Sequence, residues 1–162
     1  METRNRKRVK IMALLLLILS VIFFIRWNSE LNRNNRQLTK QLLETDSETS
    51  SEVEELFTFD YDELYAFTPY QPKESMEEEL GFETRILQET VNENMMNLLF
   101  VKDDQAVAYL YGYGANNGFY LDIPVGHYSK NELEEMSYQV ERNDLGNSSA
   151  SERSYLHYTF DF

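Results

Sequence analysis

The chain has 162 residues, with fifteen bases against twenty-eight acids and a formal charge of −13 at pH 7. The charge is uneven: nine bases lie at or before Lys40, so residues 41–162 hold six bases against twenty-six acids, a balance of −20 that repels nucleic acid and anionic headgroups. With no cysteine there is no disulfide, no thiolate metal ligand, no cysteine nucleophile and no lipoprotein anchor.

The N-terminus reads "RNRKRVKIMALLLLILSVIFFIRW". Its uncharged, apolar run, Ile11 to Ile25 with Ser20 within it, is fifteen residues, or about 22 Å of helix. Extending it from Val9 to Trp27 gives about 28 Å, close to a bilayer's hydrocarbon core. Lys10 and Arg26 can snorkel, and Trp27 suits the headgroup level. A cleaved signal peptide needs small residues just beyond the run, and Trp27 occupies one of those positions. The expectation is therefore an uncleaved signal-anchor helix over 11–27. The five bases before it (Arg4, Arg6, Lys7, Arg8 and Lys10) favour a cytoplasmic tail over 1–10, placing the remainder outside the cytoplasm.

Residues 28–55 are polar. Leu31, Leu38 and Leu42 have helical spacing, so the helix can run on for some turns, but "ETDSETSSEVEE" offers nothing to bury. This stretch reads as a flexible stalk. A folded domain is expected over 56–162, with all eleven tyrosines and a size that suits one core.

Within it, "LFTFDY" alternates Phe57, Phe59 and Tyr61 against polar neighbours, and "LYAFTPY" repeats the pattern with Tyr65 and Phe67; both predict strands. Pro72 opens a short helix with Met76 and Leu80 on one face and Gly81 as its stop. Residues 83–97 fit either a helix or a strand and loop, and a strand over Thr84–Gln88 is the preferred reading. "NLLFVKDDQAVAYLYGYG" predicts a hairpin in mid-sheet, covered on both faces, with Asp103–Gln105 as its connection. "FYLDI" is another strand. "HYSKNELEEM" carries a capping box, Ser129 with Glu132, and turns Leu133 and Met136 inward. "LGNSSASER" reads as a loop. "SYLHYTFDF" places Leu156, Tyr158, Phe160 and Phe162 on one face and Tyr155, His157, Thr159 and Asp161 on the other. So apolar a terminal strand must pair within a sheet. The fold class expected is α+β: an N-terminal transmembrane helix, then a small antiparallel sheet with one or two short helices on it.

The chemistry is sparse. His127 and His157 are thirty residues apart and belong to no metal motif. No serine lies in a nucleophile elbow, and "YGYGANNGFY" lacks the lysine of a phosphate loop and precedes a strand. Acid pairs such as Asp103–Asp104 follow from composition. No catalytic, cofactor or metal site is expected, and no cofactor. The remaining candidates are aromatic: Tyr109, Tyr111 and Tyr113 share a strand face, and Tyr120 and Tyr128 follow, a possible binding surface. Packing under a helix is the competing role for these rings.

"FDYDELYAFTPYQPKESMEEELGFE" and the following "NLLFVKDDQAVAYLYGY" resemble a pattern in small secreted or membrane-anchored bacterial proteins. It consists of an Asp-x-x-Tyr-x-Phe-x-Pro-Tyr strand, a short helix ending at Leu-Gly, and an "LLFVKD" hairpin. The matching residues are Asp62, Tyr65, Phe67, Pro69, Tyr70, Leu80, Gly81 and Leu98 to Asp103, and the match covers residues 57–113. The resemblance implies a fold and brings no activity. The functional expectation is a non-catalytic, single-pass anchored, extracytoplasmic binding or accessory protein, with the membrane and another envelope protein as partners. The alternative is an envelope-directed enzyme, or a ligand- or cation-binding domain using carboxylates and tyrosines.

Overall fold

The computed structural model describes residues 12, 14–21, 29–46, 50–143 and 154–161. Residues 14–21 are helical, with their leucines, Ile18 and Val21 exposed. Among the described residues, no helix is long and apolar enough to cross a membrane. The basic tail, part of the expected anchor (Arg26 and Trp27 included, with Lys10 before it) and the expected loop over 145–153 lie outside the described residues.

The rest is α+β, built on two four-stranded sheets rather than the single antiparallel sheet expected. One sheet has the order β1 (Ser50–Glu52), β7 (Ser137–Asn143), β8 (Tyr155–Asp161), β5 (Phe119–Asp122). It is mixed, because β5 runs parallel to β8. The terminal strand β8 is thus interior, as its apolar face demands. The other sheet is wholly antiparallel, in the order β4 (Gln105–Tyr113), β3 (Met95–Lys102), β2 (Glu63–Ala66), β6 (Gly126–Ser129).

Strand period organises two cores around β3. Its residues Met96, Leu98 and Phe100 face the mixed sheet, in a large cluster with Leu64, Leu121, Tyr138, Val140 and Tyr158. Residues Leu99 and Val101 face the opposite way, with Tyr65, Phe67 and Leu87, under the helix α2 (Lys73–Leu80). That helix forms as its punctuation predicts: Pro72 is the N-cap, Met76 and Leu80 are buried, and Gly81 closes it at φ 77°, which a side chain would strain. The β3–β4 hairpin turns on Asp103 and Asp104 alone, both at positive φ (49° and 57°), the primed-turn geometry that matches strand twist. The capping box forms at α4 (Lys130–Glu134): the Glu132 N–H donates to Ser129 Oγ, the Ser129 N–H donates to Glu132 Oε2, and Leu133 and Met136 are buried.

The hairpin expected in mid-sheet lies at the sheet's margin, with β3 interior and β4 an edge strand. Three further expectations change. The first is the stalk. Residues Glu30–Glu44 form a helix, α1, whose Leu38 and Leu42 are fully buried in the large core. Asn34 Nδ2 donates to the Val107 carbonyl at 3.0 Å, and the Tyr109 N–H donates to Asn35 Oδ1 at 2.8 Å. Two side-chain amides thus take the place of a neighbouring strand along the outer edge of β4, where unpaired groups would invite aggregation. Tyr158 Oη also donates to the Leu42 carbonyl at 2.6 Å. Beyond α1, β1 pairs with β7 and Val53 is buried, so the described part of 28–55 belongs to the domain.

The second change is "LFTFDY". Phe57, Phe59 and Tyr61 are buried as their alternation predicts, and their rings surround Phe100 at centroid distances of 4.9–5.3 Å. The backbone there is irregular, and β3, on which these rings pack, is already paired on both sides, with β2 and β4.

The third is Thr84–Gln88, which is no strand. Its order comes from side chains that satisfy its backbone. Tyr109 Oη accepts from the Gln88 N–H, Asn97 Nδ2 donates to the Gln88 carbonyl, Tyr111 Oη donates to the Glu89 carbonyl, and the Thr84 N–H donates to Glu77 Oε1. A segment supplied in this way needs no ladder.

Candidate binding cleft

The five tyrosines expected to share a surface separate into three settings. Tyr109 and Tyr111 stack at 5.9 Å and pin the 84–90 segment. Tyr109 also donates to Asn97 Oδ1 at 2.9 Å, so its hydroxyl works twice and burial raises its pKa well above the usual phenol value. Tyr128 packs on the large core and donates to the Pro124 carbonyl at 2.8 Å. These three tyrosines hold the fold together.

Tyr113 and Tyr120 do something else. With Tyr155 they line an open cleft of about 540 Å³ beside β5 and β8, together with Asn94, Asp122 and His157. The volume falls within the range of small-molecule sites, about 300–1,000 Å³. Period two explains the residue set. Tyr120 and Asp122 alternate with buried Phe119 and Leu121 on β5, as Tyr155 and His157 alternate with buried Leu156 and Tyr158 on β8. The parallel register sets Tyr120 opposite His157. At the rim, α3 (Gly114–Asn117) must press close: a Cβ on Gly114 would lie 2.9 Å from Tyr120 Cβ and 3.0 Å from the Tyr155 ring. Only glycine fits there.

The rings form a corner. Tyr120 stands at 69° to His157 with centroids 5.3 Å apart, and at 58° to Tyr155 at 6.5 Å. Tyr155 and His157 are nearer parallel, at 27° and 6.3 Å, and Asn143 Nδ2 donates to Tyr155 Oη at 3.0 Å. His157 Nε2 lies 3.5 Å from Asp122 Oδ2, close enough for an ion pair yet too long for a hydrogen bond. That nitrogen is buried and has no hydrogen-bond partner among the described residues. Burial, with the Asp122 charge second, raises the Tyr120 phenol pKa, so its ring is neutral at pH 7.

The two histidines do not meet. His127 belongs to the other sheet, stacked on Tyr65 at 4.2 Å with Nε2 3.3 Å from Glu63 Oε1. Among the described residues, no three His, Cys, Asp or Glu side chains converge to hold a metal. Of the cleft residues, sequence reasoning had selected Tyr113 and Tyr120 and missed Asn94, Asp122 and Tyr155. The one available signal was alternation in "FYLDI" and "SYLHYTFDF", which shows the shared face but not that the two strands adjoin. Comparison with protein-family models, curated proteins and solved structures finds no match.

Proposed function

We propose that the protein is a non-catalytic binding module held at the cell membrane by its N-terminal apolar segment, with the α+β domain outside the cytoplasm. The cleft carries the binding part of this reading: tyrosine rings, an amide, an imidazole and a carboxylate around an open space are the lining of a small-molecule site. An orphaned buried imidazole nitrogen in that lining adds support, because buried polar atoms normally find partners. The anchoring part rests on the apolar run between basic flanks and on the exposed leucines of 14–21, a surface that wants apolar cover. Its partners are the membrane and another envelope protein.

The test is expression of the full chain in a bacterium. The chain should resist alkaline carbonate extraction, and protease added to spheroplasts should digest the domain. Release into the carbonate supernatant, or a domain spared by the protease, refutes the anchored reading. The His157–Asp122 pair favours one second reading, an envelope-directed enzyme. Turnover of a wall-derived substrate, abolished by Asp122→Asn, would establish it.

A further inference from the structure

We infer that the cleft beside β5 and β8 takes a small organic ammonium ion, held among the rings of Tyr113, Tyr120 and Tyr155 and countered by Asp122. The inference rests on the reading of the cleft as a binding site and names its ligand class.

Shape comes first. A pyranose ring stacks on one broad aromatic platform. Here Tyr120 meets Tyr155 at 58° and His157 at 69°, which makes a corner rather than a platform. A compact onium group fits a corner, where it can sit over the negative π-face of one ring while touching the others. Charge agrees. Among the described residues, the lining contains one carboxylate, Asp122, with its side chain 56% exposed, and neither lysine nor arginine. The surrounding stretch of chain has a balance of −20, a field that gathers cations and repels anions. An anionic ligand would meet this field with no lysine or arginine among the described lining residues to receive it. A neutral ligand would leave Asp122 with only its 3.5 Å contact to His157 Nε2.

The probe is choline, titrated calorimetrically into the full chain in phosphatidylglycerol nanodiscs, beside its neutral carbon isostere dimethylbutanol and methyl glucoside. Choline should bind saturably, with the isostere at least about tenfold weaker. Asp122→Asn should weaken choline about tenfold without unfolding the domain, as the side chain is half exposed. Tyr120→Phe should keep the affinity, because a π-face needs no hydroxyl, whereas Tyr120→Leu should lose it; a thermal melt checks that each variant is folded. Equal affinity for the isostere, or methyl glucoside bound in place of choline, overturns the ammonium assignment and leaves the cleft a binding site. Absence of saturable binding by all three probes overturns both. Phosphatidylcholine nanodiscs then separate two sources of the same chemistry. Choline weakened there identifies a lipid headgroup, and unchanged affinity a free solute.

Discussion

The two faces of the β4–β3–β2–β6 sheet are built on different principles. Toward the mixed sheet, Leu98, Phe100, Leu64 and Ala66 meet hydrocarbon and aromatic rings almost alone. Toward α2, hydrophobic contacts share the work with a polar junction. Asn97 is buried to 3% exposure, donates to Gln88 and Met76 Sδ, and accepts from Tyr109. The first face is general: apolar residues of the right total volume would hold it together. The second specifies one path for a segment with no regular structure, because its backbone groups depend on particular side chains.

Substitutions can break this contrast in order of size. Phe100→Ala removes the ring that Phe57, Phe59 and Tyr61 surround, and urea denaturation should show a loss of about 3–5 kcal/mol across the whole domain. Tyr109→Phe deletes one hydroxyl on the polar face and orphans the Gln88 amide and buried Asn97 oxygen. The expected loss is about 1–3 kcal/mol. Hydrogen exchange should show faster exchange at Gln88 with the mixed sheet unaffected; equal acceleration in both sheets would erase the distinction drawn above. Ser129→Ala, at the capping box, should cost about 1 kcal/mol.

Alkali tests both faces at once. Burial pushes Tyr65, on the polar side, and Tyr158, in the large core, up to about 12. For a group whose pKa is raised on folding, the stabilisation is complete below the unfolded value near 10 and disappears as pH climbs through the folded value. Circular dichroism should thus hold steady to about pH 10 and collapse toward pH 12, in step with tyrosinate absorbance.

Local patterns made half of this legible in the sequence. Alternation identified the buried faces at Phe57–Tyr61 and Leu156–Phe160, and Pro72, Gly81 and Ser129 marked α2 and α4 correctly. What escaped was non-local. Whether an alternating stretch becomes a strand depends on a neighbour to pair with, and β3, on which 57–61 packs, is already paired on both sides. Residues 84–88 are held by Tyr109 and Asn97, and no local signal announces them. The helix α1 looked like stalk because it buries little, Asn34, Leu38 and Leu42, amid polar residues. The cleft depends on β5 lying parallel to β8, two strands separated by β6, α4 and β7.

The attachment of α1 has a mechanical consequence. A tug at Ser29 is not spent straightening slack chain. It loads the Asn34 and Asn35 amides on β4, the packing of Leu38 and Leu42, and the Tyr158 hydroxyl together. The domain therefore turns with α1 as one piece, and strain applied at its entrance is carried straight into the sheet edge.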